Sequence, residues 1–161
     1  MKKILARLIL WLVFAGGNLC NGQTNSQSIS TWGQSVQGVR LAISMTNNVF
    51  RLGTSAGVIA VTKNSSTNAI IVDESAPTMN FDVLLTNDTG KSYHVTTRKM
   101  IRSPKKLVSL GFGEESEETV PVTFIEDIAP GDYTLKAVRK FVQNNKNYTL
   151  ESNAINVSIL K

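Results

Sequence analysis

The 161-residue chain has one cysteine, one histidine and four prolines, and aromatic residues make up only 7% of it. Cys20 alone makes no internal disulfide, so the fold rests on packing. One histidine and one cysteine also exclude a tetrahedral zinc site. A Ser-His-Asp or Cys-His triad has only His94 to be built around, and no Gly-x-Ser-x-Gly elbow accompanies it. Long apolar runs are missing too. Leu8 to Phe14 stops well short of the roughly 20 residues that a membrane-spanning helix needs. What remains is 42% hydrophobic and 18% charged, ordinary for one globular domain with a single core.

Residues 1–22 have the three parts of a secretory signal peptide: Lys2, Lys3 and Arg7, the apolar run, and small residues at Ala15-Gly16-Gly17. Cuts after Ala15 and Gly17 both suit the small-residue rule, and Gly22 is a third candidate. A lipoprotein signal also ends in cysteine, but Leu19 stands before Cys20 where a small residue belongs, so lipidation is not expected. The Met1-Lys2-Lys3 start has a bacterial look, and the expected location is the periplasm, cell surface or extracellular space. The formal charge of +5 includes three residues of the signal. Without them, 14 basic residues face 12 acidic ones, about +2, which is no footprint for a phosphate backbone. Nucleic acid is therefore not an expected partner, and no transmembrane segment is expected in the mature chain.

Residues 23–35 are rich in Ser, Thr, Asn and Gln without periodicity and read as a flexible polar tether. From Val36 to Lys161 the pattern becomes short alternating runs between turn residues. Val39, Leu41 and Ile43 alternate with polar or small residues, as do Phe81, Val83 and Leu85, Val120, Val122 and Phe124, and Ile155, Val157 and Ile159. Gly57 to Thr62 and Ala69 to Val72 are continuous apolar runs, and Tyr133 to Val142 is a longer strand. Asn87-Asp88-Thr89-Gly90 predicts a hairpin to Ser92–Thr96, and Asn144-Asn145-Lys146 predicts a second turn. About seven to nine strands in an all-β, antiparallel sandwich follow.

Ile128-Ala129-Pro130-Gly131-Asp132-Tyr133, opening a strand, resembles the penultimate strand of immunoglobulin-like and fibronectin-III-like domains. Bacterial members of that group, including the BsuPI-type proteinase inhibitors, share it. The resemblance implies an immunoglobulin-like sandwich over 36–161, with Tyr133 at a sheet corner and its hydroxyl capping nearby backbone. The spacing is one residue shorter than the usual fibronectin version. The Cys-Trp-Cys core of true immunoglobulin domains is absent, because Trp11 lies in the signal and Trp32 in the tether.

The candidate sites are few. His94 lies between Tyr93 and Val95, so alternation turns it to the opposite, solvent side. An enzyme would need a carboxylate pair such as Asp82 with Asp132 for acid–base chemistry, at a separation the sequence leaves open. Glu126, Asp127 and Asp132 bracket the Pro-Gly turn, and Glu114, Glu115, Glu117 and Glu118 read as a solvated acidic loop without calcium-loop spacing. The basic stretch Arg98, Lys99, Arg102, Lys105 and Lys106 is the candidate partner-binding surface, for a polyanion or an acidic partner. Equally, such charges keep an edge strand soluble. Sequons stand at Asn64, Asn87, Asn147 and Asn156, at turns, strand ends or outward positions. Together these features predict a non-enzymatic exported module that binds another protein or an envelope polymer, or serves structurally, with no cofactor or metal. An inhibitor of a secreted hydrolase, acting through an exposed loop such as Arg98 to Lys106, is the alternative.

Overall fold

Period-two alternation governs the fold, because each strand sends one set of side chains inward and leaves the other in solvent. The computed structural model describes residues 31–96 and 104–161. The expected signal, Cys20, residues 23–30 of the expected tether, and Arg98, Lys99 and Arg102 lie outside the described residues. The order is β1 (Val39–Ser44), β2 (Val49–Arg51), β3 (Ser55–Asn64), β4 (Ile70–Asp73), a short helix α1 (Pro77–Asn80), β5 (Phe81–Asn87), β6 (Ser92–His94), β7 (Leu107–Leu110), β8 (Glu115–Thr123), β9 (Gly131–Gln143), β10 (Lys146–Glu151) and β11 (Ile155–Leu160).

The strands form two separate sheets rather than a barrel. The smaller is β1-β3-β8. The larger runs β2-β11-β9-β4-β7, with β5 and β10 also on β9 and β6 on β5. Every pairing between named strands is antiparallel except that of β2 with β11. Val39, Leu41, Val58, Ala60, Val120 and Val122 from one sheet meet Val83, Leu85, Leu135, Ala137, Val157 and Ile159 from the other in one core. Each larger aliphatic side chain buried this way contributes about 1.5–3 kcal/mol.

Strand β9 organises the larger sheet. On one flank β11 pairs with Gly131–Leu135 and β10 with Val138–Gln143. On the other, β5 pairs with Tyr133–Arg139, while β4 touches β9 only at Ile71 opposite Val142 and then leaves to pair with β7. The sheet therefore forks beside the distal half of β9.

Both expected turns form. Gly90 has φ 83° and closes the β5–β6 hairpin, and Asn144 and Asn145 (φ 50° and 59°) make the tight β9–β10 turn. Tyr133 donates its hydroxyl to the Ala129 carbonyl at 2.6 Å, the expected corner. Within the expected tether, chain packing begins before Val36. Gly33 donates its N–H to the Leu41 carbonyl at 2.9 Å. A Cβ at Gly33 would fall 1.9 Å from the Glu151 carbonyl oxygen.

Three expectations change. Eleven strands are present among the described residues, because Val49–Arg51 and Leu107–Leu110 are too short to show a period yet pair with neighbours. The acidic run from Glu114 to Glu118 is not a loop: Glu115 opens β8, which alternates strictly and turns Ser116 and Glu118 inward. Asn64 is no glycan acceptor in the folded chain, being fully buried. Its amide donates to the Asn68 and Leu110 carbonyls and accepts from the N–H and hydroxyl of Ser66.

Candidate functional site

The chemistry that needs paired groups finds little support in the geometry. His94 is exposed on β6, with Nδ1 2.7 Å from Asp82 Oδ1. The hydroxyls nearest it in sequence are committed elsewhere, Ser92 to Thr86 and Thr96 to the Val83 N–H. Asp82 pairs with Val138, so Asp132 lies six positions earlier on β9. At about 3.4 Å per residue that is roughly 20 Å. Carboxylates that share a bond in glycoside hydrolysis stand about 5–9.5 Å apart. Glu126 and Asp127 are exposed in the turn before β9. Among the described residues no group of three or more His, Cys, Asp and Glu gathers to hold a metal.

The inward side of β8 instead meets the inward side of β9. Arg139 Nη2 lies 2.5 Å from Glu118 Oε2, with the two side chains 0% and 6% exposed. Arg139 also donates to Thr62 Oγ1 at 2.8 Å and to the Asp73 carbonyl at 3.0 Å, and it stacks 4.6 Å from the Phe81 ring centre. The carboxylate contact is close but poorly aligned, and neither Glu118 oxygen nor Arg139 Nε makes a hydrogen bond. Burial raises the Glu118 carboxyl above its ordinary value, against the pull of Arg139. One guanidinium thus ties β3, β4 and β8 to β9, a structural role.

Lys106 joins the margin of this cluster. It bonds Glu74 at 2.8 Å, and Glu74 also accepts the Ser116 hydroxyl at 2.7 Å. Those two donors, Lys106 foremost, hold the Glu74 carboxyl below its ordinary value despite partial burial. The predicted basic surface is therefore divided among its described members. Lys106 bonds Glu74 while its side chain stays 68% exposed, and Lys105, its neighbour in the chain, lines a groove.

Lys105 lines a groove of about 780 Å³ where the larger sheet forks. Ile71, Val138 and Val142 make an apolar floor from the outer faces of β4 and β9. Met79 of α1 and Leu107 of β7 form the walls, 70% and 62% exposed, large values for side chains of this kind. Lys105 enters from the β7 side and Lys140 from β9. Both are exposed, and neither ion-pairs with another residue among those described. The carboxylates present are engaged, Asp82 with His94 and Asp73 with the N–H and hydroxyl of Ser75. Lys140 stands between Val138 and Val142 on the outer face of β9, and Lys105 lies close enough to Asp73 to lower its carboxyl, so the groove is apolar with charges of both signs along it. Of its residues, only Lys105 belonged to the stretch singled out in the sequence.

No protein-family model matches the sequence, and no curated protein matches it. Among solved structures, the chain is similar to Spo0M, a sporulation control protein from Bacillus subtilis, at 11% identity and a TM-score of 0.50. That match covers 78% of this chain and 51% of Spo0M, so the chain spans about half of that protein's length. The CARDB domain of PF1109 from Pyrococcus furiosus, solved with two metal ions, matches at 19% identity and a TM-score of 0.40, over 85% of this chain and all of that one. AvmM, which catalyses macrocyclization in alchivemycin A biosynthesis, matches at 9% identity and a TM-score of 0.46, over 78% and 90%. Among the described residues no helix is long and apolar enough to cross a membrane. The chain is an all-β protein with a β-sandwich-like fold.

Proposed function

We propose that the chain is an exported, immunoglobulin-like β-sandwich of the bacterial envelope or extracellular space that acts by binding another macromolecule. The immunoglobulin-like reading draws support from the Tyr133 corner and from the order β1-β3-β8, with β2 crossing to pair in parallel with the last strand. Export rests on residues 1–22 of the sequence. One observation carries the binding reading: the forked sheet leaves Met79, Leu107 and Ile71 exposed together in one groove, which Lys105 and Lys140 also line. Clustered exposed apolar side chains on a soluble domain mark contact surfaces more often than isolated ones do.

A photo-crosslinking residue placed at Leu107, and separately at Thr119 on the outer face of the smaller sheet, tests this in the exporting cell. A discrete adduct from Leu107 and none from Thr119 is expected. Equal labelling at both positions, or none at Leu107, refutes it.

A further inference from the structure

We infer that the chain pairs with a second copy of itself along the open edge of β7, joining the two larger sheets into one. The inference goes beyond the binding reading and does not need the groove to be filled. Strand β7 ends the larger sheet and pairs only with β4. The Glu74 N–H donates to the Lys106 carbonyl at 2.8 Å, and the same register sets Val72 opposite Val108 and Ile70 opposite Leu110. Hydrogen-bonded pairs alternate along an antiparallel ladder, so Lys106, Val108 and Leu110 spend their backbone groups on β4. Leu107 and Ser109 turn theirs the other way, about 7 Å apart, where no strand among those described meets them. Both side chains are exposed, Leu107 by 62%. A row of unpaired N–H and C=O groups is a template for another strand.

The other edges are covered or guarded. Along β1, Val36 and Val39 exchange both backbone bonds, Gly33 donates to Leu41, and the Asn153 side chain takes both backbone groups of Ile43. Strand β8 presents Glu115, Glu117 and Pro121 at exposed positions, and β10 carries exposed Lys146 and Glu151. Strands β2 and β6 have three residues each, with Arg51 on one and His94 on the other. Charge, proline and shortness are the usual means of stopping edge-to-edge pairing. Leu107-Val108-Ser109-Leu110 is short but has neither charge nor proline. The lysines before it are answered within the chain: Lys106 bonds Glu74, and Lys105 interacts electrostatically with Asp73.

Such an edge suits a copy of itself. A twofold axis through Val108 brings Leu107 opposite the copy's Ser109, so every outward N–H and C=O of β7 finds a partner. Lys106 falls opposite the copy's Leu110, and no like charges stand directly across the seam. Half-buried Val108 meets its own counterpart, and the exposed Leu107 side chains lie diagonally within reach of each other. A twofold contact closes on itself and stops at two copies.

Sedimentation equilibrium of the purified chain tests this. The mass should approach twice that of one chain as concentration rises to about 1 mM, since a seam this small holds weakly. Combined Leu107→Lys and Ser109→Lys sets like charges directly opposite and should keep the chain a monomer throughout. Mixing that variant with combined Leu107→Glu and Ser109→Glu should restore the double mass, because opposite charges then face each other. Combined Thr119→Lys and Thr149→Lys, which adds the same charge on β8 and β10, should dimerise as the parent does. All four positions are exposed, so each variant should melt as the parent does.

A parent chain that stays monomeric at every concentration overturns the inference. So does a Leu107–Ser109 lysine variant that still pairs, an equal loss in the Thr119–Thr149 variant, or a lysine and glutamate mixture that stays apart. The photo-crosslinking residue at Leu107 separates this inference from the binding reading. Adducts of only twice the chain mass uphold the pairing and refute the binding reading. Adducts of only another mass, from a monomeric chain, do the reverse.

Discussion

Removing the Arg139 guanidinium should destabilise the fold as much as truncating a large core side chain. Arg139→Met leaves the Glu118 carboxylate, 6% exposed, without the guanidinium it pairs with, and strips donors from Thr62 Oγ1 and the Asp73 carbonyl. Breaking a buried ion pair from one side costs about 3–5 kcal/mol. Loss of the stacking on Phe81 falls within that range. Set against a usual domain stability of about 5–15 kcal/mol, the variant would be marginal at neutral pH. The cost comes from a stranded charge, so it has two remedies. Combining Arg139→Met with Glu118→Leu should restore stability to near the parent or up to about 4 kcal/mol above it. Acid should also help the single variant. The Glu118 carboxyl is already raised by burial, and losing Arg139 raises it further. A carboxyl raised in the folded state binds its proton more tightly there than when unfolded. Its stabilising contribution is full below the unfolded value near 4.5 and is lost as pH rises through the folded one. Arg139→Met should therefore lose less at pH 5 than at pH 7. Urea unfolding followed by circular dichroism reads all of this, with an unchanged m-value showing that the same surface unfolds. A double variant as unstable as the single one would refute the reasoning, as would a single-variant cost under about 1 kcal/mol.

Gly33→Ala places a methyl against the Glu151 carbonyl, and backbone on both sides forces the segment to move. A loss of about 1–3 kcal/mol is expected. Faster protease cleavage before Val36 is expected with it, and an unaltered cleavage rate counts against the packing described. Lys106→Met removes the donor that most depresses the Glu74 carboxyl. Glu74 contributes stability above its unfolded value near 4.5 and loses it as pH falls through the lower folded value. The variant's deficit should therefore be visible at pH 7 and shrink toward pH 3, and a pH-independent deficit would show that Lys106 acts through packing alone. Tyr133→Phe deletes the hydroxyl bond to Ala129 and should cost about 1 kcal/mol in chemical denaturation, whereas no loss would mean the corner is held by ring packing.

Much of the fold is legible from local pattern. Val39, Leu41 and Ile43, or Ile155, Val157 and Ile159, declare their inward face because the side-chain period of a strand is fixed by the backbone. Asn144-Asn145 and Gly90 declare turns because few residues accept positive φ. Glu118 is harder to read. The alternation that places Val120 and Val122 inside runs back through Glu118 to Ser116. A glutamate, however, is rarely buried without a partner. The partner was in register too: Arg139 shares its face with Tyr133, Leu135, Ala137 and Phe141. Two ionised residues on inward faces of separate strands were the available signal. The groove had none, because it arises where β4 leaves β9, and no run of residues records where two strands part. Lys105 and Lys106 show the same limit. They are adjacent and alike in charge, yet one bonds Glu74 at the edge of the ion-pair cluster and the other lines the groove, a division that composition does not record.

The parallel pairing of β2 with β11 has a mechanical consequence. Asn48 accepts from the Ser158 N–H at 2.7 Å, and the Leu52 N–H donates to Leu160 at 3.1 Å, so the two short strands are joined at both ends. Tension applied at residue 31 and at Lys161, passing through β1, would draw β2 toward its beginning and β11 toward its end. The strands would then slide past each other, and their cross-links would share the load at once instead of unzipping singly. Pulled along this line, the domain would resist extension through a few bonds acting in concert, far from the groove on the outer side of β9.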